Sequence, residues 1–324
     1  VDGVVHLSVP STFLQPRQMG ELTAEVVSEA NKPVTVCYLA GAWVQPAREA
    51  MEERGVPTFD MPERAAGAMI NLVRRANLVA KAKEQMTSSV AEAKVPTDIA
   101  SVIDAAQTSQ RALTEPEARA VLQAFGISFV AADVAQDGNQ AVQIAERLGY
   151  PVVLKVVSPE IIHKSDAGGV KVNLDNAQKV QAAYSEILAN AQRYKPEAEI
   201  HGLLVSRQAA PGVEIIVGGI RDPQFGPVVM VGFGGIFVEV LKDVAFRVAP
   251  ISEKEARAML RDLRLYPLLT GARGREKADL DALAQMLVQV GQALVAVPAI
   301  KEIDLNPVRV YSSGAIALDA RVIV

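Results

Sequence analysis

Lys155 stands inside an otherwise wholly apolar run, GYPVVLKV. An ammonium buried without a partner is costly, so something anionic should meet it. A phosphate would do so, because lysine supplies a compact point charge. The competing reading is an edge position from which the stem carries the charge out to water. Further on come the adjacent Gly168 and Gly169. Backbone without side chains lets amide groups approach phosphate oxygens closely, although a glycine pair alone more often marks an ordinary turn. Between the lysine and the glycines lies His163, one of three histidines in 324 residues, followed by Lys164, Ser165 and Asp166. A lone imidazole between a strand and a glycine pair asks for an explanation.

A second polar group lies near the C-terminus. EIDLNPV carries Asp304 and Asn306, and ALDAR carries Asp319. Alternate residues of a strand share a face, so Asp304 and Asn306 point the same way. If the segments around 303–310 and 315–323 pair as a hairpin through SSG, Asn306 and Asp319 converge. A carboxylate and an amide oxygen in an apolar frame suit Mg²⁺, which takes oxygen ligands and keeps waters and substrate phosphates. The plainer alternative is that Asp304 and Asn306 satisfy local turns before Pro307. Glu214, in GVEIIVG, suits a ribose hydroxyl or the phosphate-binding lysine, and equally a structural pair with Arg221 or Arg247. Gly232, Gly234 and Gly235 precede an apolar stretch with G-x-G-G spacing. The βαβ context and later acidic residue of a dinucleotide fingerprint are missing. The segment reads as a flexible loop able to close over a ligand, with Glu239, Lys242, Asp243 and Arg247 supplying charge.

These residues need a frame. Residues 1–83 alternate buried strands (VDGVVHLSV, KPVTVCYL, VPTF) with helices, the pattern of βαβ units and a parallel sheet. Three strands are few for such a sheet, so this is part of a domain. Residues 84–112, rich in Ala, Ser, Thr and Gln, read as a linker with room for one short helix. Order resumes at TEPEARAVLQAFGI, where Thr114 and Glu117 form a capping box and Gly126 ends the helix. From 113 to 324 runs of strands mix with helices. IHGLLVSRQ, VEIIVGGIR and GPVVMVGFG follow one another through short turns, so antiparallel neighbours are expected. Ser252 and Glu255 make a second capping box, a long helix covers about 277–297, and AIKEIDL and AIALDARVIV are strands. The fold class is therefore α/β followed by α+β.

Composition narrows the function. Half the residues are hydrophobic and the formal charge is −4, which gives no hint of nucleic acid or an anionic membrane as partner. A single cysteine, Cys37, excludes an internal disulfide framework and suits a reducing cytoplasm. No apolar run reaches the ~18–20 residues of a membrane span. Valine at position 1 leads to the expectation that the chain starts inside a longer protein.

Taken together, GYPVVLKVVSPEIIHKSDAGGVKV, GVEIIVGGIRDPQFGPVVMVGFGGIFVEVLKD and EIDLNPV…ALDAR resemble the ATP-grasp part of the NDP-forming acyl-CoA synthetases. That family includes ADP-forming acetate–CoA ligase and is related to succinyl-CoA synthetase. The likeness runs over 113–324, and 1–83 looks like a partial flavodoxin-like subdomain that precedes it in fused members. The resemblance implies a two-lobed ATP-grasp domain binding ATP or ADP with Mg²⁺. Lys155 would hold nucleotide phosphates, Gly168 and Gly169 would belong to the phosphate loop, and Glu214 would contact the nucleotide. Adenine would lie against a hinge from Val205 to Gln208, and Asn306 with Asp319 would hold Mg²⁺. His163 would be phosphorylated transiently in a phosphoryl relay, with Asp166 placed to orient the ring. A neutral imidazole is a competent nucleophile near neutral pH.

The chain departs from the family at several points. It lacks the CoA-binding domain and the first flavodoxin-like subdomain with its primary phosphohistidine. His6, in a strand read as buried, is poorly placed to replace it. CoA would be bound by those absent domains, which become expected partners alongside a homo-oligomeric copy. Many members read Gln-x-Met where this chain has Ser206, Arg207 and Gln208, so nucleotide preference is open. One alternative is the ligand-sensing regulatory portion of a synthetase-like lysine acetyltransferase. A third reading, a carboxylate–amine ligase, is disfavoured by the histidine motif and the lead-in.

Overall fold

A computed structural model describes residues 1–11, 13–87, 97–161, 163–235, 242–274 and 276–324. The loop expected beyond Gly235, with Glu239, falls largely outside the described residues. The chain divides into two compact units, Val1–Val90 and Ala91–Val324. The division falls within the stretch read as a linker.

The first unit holds a parallel sheet of β1 (Val4–Ser8), β2 (Val34–Tyr38) and β3 (Thr58–Phe59) in that order. Its helices are α1 (Pro16–Glu29), α2 (Gln45–Glu52) and α3 (Pro62–Thr87). Prolines open α1 and α3 where a helix has no amide hydrogen bond to lose. Val36 and Tyr38 of β2 pack with Ala24, Val44, Ala47, Met51 and Val56 in a small core. A Cβ on Gly20 would lie 2.2 Å from the Ala47 carbonyl oxygen, so only glycine lets α1 approach α2 this closely. β1 was expected to be buried, and here the sequence misleads. Val4, Val5, His6 and Leu7 are all exposed, because β1 is an edge strand with a neighbour on one side only. Parallel strands read as apolar runs when both faces are covered, and a run alone does not tell whether the cover is present.

The second unit contains two sheets. The smaller has β4 (Ala132–Ala135), β5 (Val152–Val156), β6 (Val170–Leu174) and β7 (Leu203–Arg207) in the order β4-β7-β5-β6. Helices α6 (Gly138–Leu148) and α7 (Ala177–Tyr194) cover one face, and Val152, Leu154, Val156, Leu203 and Val205 point into that core. Period-two alternation then sends Lys155 to the other face. The larger sheet runs β10-β9-β8-β11-β12, from β8 (Val213–Asp222), β9 (Gly226–Phe233), β10 (Val244–Val248), β11 (Glu302–Val310) and β12 (Ala315–Ala317), with β13 (Arg321–Ile323) also paired to β11. β7, expected beside β8, belongs to the other sheet; β8 and β9 are antiparallel neighbours as expected. Helix α10 (Leu280–Ala296) buries Leu283, Leu287, Val290 and Leu294 in the core of the larger lobe, beyond the short helices α8 (Glu253–Arg261) and α9 (Tyr266–Leu269).

Two helices precede these sheets. α4 (Thr97–Thr108) lies within the supposed linker yet buries Ile99, Ile103 and Ala106 in the larger core. α5 (Glu115–Gln123) starts at Thr114, whose backbone amide and hydroxyl both donate to the Glu117 carboxylate at 2.8 Å. Arg111 adds a two-pronged contact to the same carboxylate at 2.7 Å on each side. This capping fixes where α5 begins, and therefore where Glu115, its first residue, points.

Candidate functional site

A cleft of about 410 Å³ opens in the second unit. It is walled by the start of α5, the loop after β5, β11 and the turn between β12 and β13. Each wall is set by a local feature. On β11 the register against β8 slips between Leu305 and Val308, which puts one extra residue at Asn306–Pro307. A bulge re-aims a side chain, and Asn306 is exposed on the cleft, which the half-buried Asp304 two residues earlier also lines. AIALDARVIV, read as one strand, is broken into β12 and β13, and Asp319 sits in the break. Asp319 and Asn306 thus line the same cleft.

Behind the wall lies a closed set of charges. Lys155 Nζ is 2.9 Å from Glu115 Oε1 and 3.0 Å from Asp319 Oδ2, and donates to the Leu318 carbonyl at 2.8 Å. Lys164 Nζ bridges the same two carboxylates, at 3.1 Å from Asp319 Oδ1 and in close contact with Glu115 Oε2. Arg119 approaches Glu115 Oε1 at 3.5 Å, donates to the Val130 carbonyl and lies 4.9 Å over the Phe129 ring. Glu115 is only 1% exposed at its side chain. Three cations against two carboxylates leave an excess of one positive charge in this cluster. The anion that Lys155 demanded is therefore supplied by the protein itself.

The fields follow from these neighbours. Burial pushes the Asp319 carboxyl up, but the Lys155 and Lys164 ammoniums outweigh it and hold it at about 2. Its contribution to stability is thus complete above the ordinary value and fades as pH falls through about 2. Burial lowers the Lys164 ammonium, and Glu115 and Asp319 more than reverse that, leaving it above an ordinary lysine. Asp304 goes the other way. Burial raises it, the Glu302 charge adds to this, and Arg321 only partly compensates. A raised carboxyl costs the fold nothing below the ordinary aspartate range, where both states hold the proton; the cost grows as pH rises through that range and is complete above the folded value. Asp304→Asn should therefore raise stability at neutral pH, by roughly 1 kcal/mol. The gain should vanish as pH drops below the ordinary aspartate range, as thermal melts across pH would record.

The other residues singled out in the sequence sit as follows. His163 is exposed on the cleft at the start of a turn through Gly168. Asp166 also lines the cleft. Gly168 and Gly169 spend their amides inside the turn, on the Ser165 carbonyl at 3.1 Å and the Lys164 carbonyl at 2.8 Å. Gly168 has φ +61°, and a Cβ on Gly169 would lie 2.6 Å from Val156 Cγ1. In this geometry the glycine pair shapes the loop that carries His163. Val205 is fully buried in the smaller core and paired with both Asp133 and Leu154. Gln208 exchanges hydrogen bonds with Asn173 at 2.8 and 2.6 Å. Glu214 is tied to Arg309 at 2.7 Å, a partner not foreseen, and its carbonyl accepts from Gly234. Val205, Gln208 and Glu214 lie off this cleft.

Glu115 and Lys164 were missed as site residues. Glu115 hid in a helix-start signature, and Lys164 stood beside the histidine without a role. The available signal was Lys155, whose partner had to come from somewhere. The donors present suit Mg²⁺. Asp319, Asn306 and Asp304 offer oxygen atoms to one cleft. Among the described residues no three His, Cys, Asp or Glu side chains gather to cage a metal.

The sequence and fold have known counterparts. Residues 104–324 match the family described as ATP-grasp domain. The chain is 50% identical over 222 residues to the β subunit of ADP-forming acetate–CoA ligase I from Pyrococcus furiosus, covering 68% of this chain and 96% of that protein. It is 39% identical over 320 residues to ADP-forming acetate–CoA ligase I from Archaeoglobus fulgidus, covering 98% of this chain but 46% of that protein. A solved structure of the dinucleotide-forming acetyl-coenzyme A synthetase 1 from Ca. Korarchaeum cryptofilum superposes with a TM-score of 0.62 at 42% identity, over 70% of this chain and 99% of that one. It holds coenzyme A and Mg-AMPPCP, with its phosphohistidine segment pointing towards the nucleotide-binding site.

Proposed function

The chain belongs to the ADP-forming acetate–CoA ligase family through its ATP-grasp domain, and from that premise we propose that its cleft passes a phosphoryl group between a nucleotide and His163. The observation that carries this reading is the convergence of His163, Asn306 and Asp319 on one cleft backed by Lys155 and Lys164. In the transfer, the ring nitrogen's lone pair forms a bond to the γ-phosphorus of ATP. The bond from that phosphorus to the β,γ-bridging oxygen breaks, ADP leaves with the electron pair, and the other ring N–H gives its proton to water. The excess positive charge of the lysine cluster favours the polyphosphate, and prearranged cations cost no reorganisation when charge shifts. Asp319 and Asn306 would hold Mg²⁺, which when bound offsets phosphate charge.

The chain spans less than half the length of the single-chain relative it matches over nearly its whole extent. The complete reaction, acyl-CoA + ADP + Pi ⇌ acid + CoA + ATP, is accordingly assigned to the whole protein, with CoA and the acid held by the remaining synthetase domains or subunits. Nothing in the relatives supports the acetyltransferase alternative. Among the described residues no helix is long and apolar enough to cross a membrane. A reducing cytoplasm, as the location of the protein, rests on the lone, buried Cys37. The test is isotope exchange. Full-length protein with Mg²⁺ should move label between ADP and ATP with neither CoA nor acid present, because a phosphoenzyme closes that half-reaction by itself. Nucleotide binding without exchange would overturn the proposal.

A further inference from the structure

The turn that carries His163 is fastened to the cleft by the side chain next to the histidine. Lys164 bridges Glu115 and Asp319 and is only 16% exposed. Lys155 makes the same bridge, so two ammoniums and two carboxylates close a ring. Lys155 sits on β5, Glu115 on α5 and Asp319 between two paired strands. Lys164 alone of the four belongs to the turn from 163 to 169. Most of the turn's own hydrogen bonds are internal: Ala167 to the His163 carbonyl, Gly168 to Ser165 and Gly169 to Lys164. Such bonds travel with the turn. Its base is held by the bond from the Val156 amide to the Gly169 carbonyl, at 2.8 Å, and by Asn190 on Gly168. Ile161 before the turn and Ala167 within it are buried in the smaller core, whereas the exposed start of the turn at His163 is tied across the cleft through the adjacent Lys164.

We propose that Lys164 is a releasable tether: its ammonium holds the His163 turn on the cleft through Glu115 and Asp319, and a divalent cation at Asp319 displaces it. Metal loading then frees the segment that bears the nucleophile. This rests on the reading of Asp319 as a metal ligand and of His163 as the phosphoryl acceptor. The physical basis is competition. Both Asp319 oxygens already carry an ammonium, and a dication beside them repels like charge at short range. Lys164 is the partner that can leave, since Lys155 is also bound to the Leu318 carbonyl and sits within a sheet.

The test uses the full-length protein without nucleotide. Mn²⁺ binding is followed by electron paramagnetic resonance, and exchange of the 163–169 amides by mass spectrometry, in wild type, Lys164→Met and Lys164→Arg. Lys164→Met should bind Mn²⁺ at least about tenfold more tightly, since a competitor worth that ratio is gone. Its turn should exchange at least about tenfold faster before metal is added. Wild type should reach the faster exchange only on adding Mn²⁺, and Lys164→Arg should start as slow as wild type. Either readout unchanged in Lys164→Met overturns the proposal. So does loss of the fold, which would make Lys164 part of the frame. A tether that fails while His163 still accepts label refutes this inference alone; a tether that holds while no label forms refutes the relay instead.

Discussion

Alanine at position 163 should remove the phosphoryl label from the full-length protein, slowing phosphoenzyme formation at least about a thousandfold, or ~4 kcal/mol in the barrier. Wild type incubated with γ-labelled ATP and Mg²⁺ should hold label that is lost in acid and kept in base, as a phosphoramidate requires. The expectation is sharp because the substitution is local. His163 is exposed, and its loop is shaped by backbone bonds and by glycines. An exposed side chain away from packing changes stability by about 0.5 kcal/mol or less, so folding and nucleotide binding should survive while the nucleophile is gone. The other two histidines of this sequence give internal controls. His6 lies on the exposed edge strand of the first unit, and His201 sits 3.4 Å from Glu199. Label that persists in His163→Ala, or disappears in His201→Ala instead, would sink the assignment.

Periodicity made the second unit's cores legible. The alternation in VVLKV puts Leu154 inward and Lys155 on the opposite face, as the structure has it. Parity likewise puts Asp304 and Asn306 on one cleft. What could not be read was the partner of each charge, because that depends on which distant segments meet. Glu115 and Lys155 are 40 residues apart in sequence, and Lys164 and Asp319 are 155 apart. A strand pattern carries no trace of such a meeting. Edge and centre of a sheet were equally hidden: β1 and β2 are both β-branched runs, yet one is exposed and the other buried. The single strand read at AIALDARVIV is broken at Asp319, and the bulge at Asn306–Pro307 left no mark in the sequence pattern.

Glu115→Ala should be the most damaging change of a single charged residue in the second unit, costing about 3–5 kcal/mol. In a unit of this size that is a fall of roughly 10 °C in the melting temperature. The reason is arithmetic of charge rather than size. Glu115 is almost wholly buried and faces Arg119, Lys155 and Lys164. Without it, three cations share Asp319, which is itself 30% exposed. The Arg111–Glu117 pair, about a quarter exposed, sets the contrast: Arg111→Ala should cost about 1 kcal/mol or less. Urea midpoints at an unchanged slope would separate the two, and equal losses would refute the claim that Glu115 anchors the cluster. Adding Lys164→Met to Glu115→Ala should restore part of the loss, because two residues in one network do not add. Replacing such a set wholly by apolar residues is often neutral or stabilising. Its presence at this cleft is therefore better explained by what it positions, the charge of Lys155 and the turn of His163, than by the stability it contributes. An apolar replacement that kept the fold and lost Mg²⁺-nucleotide binding would separate those two roles.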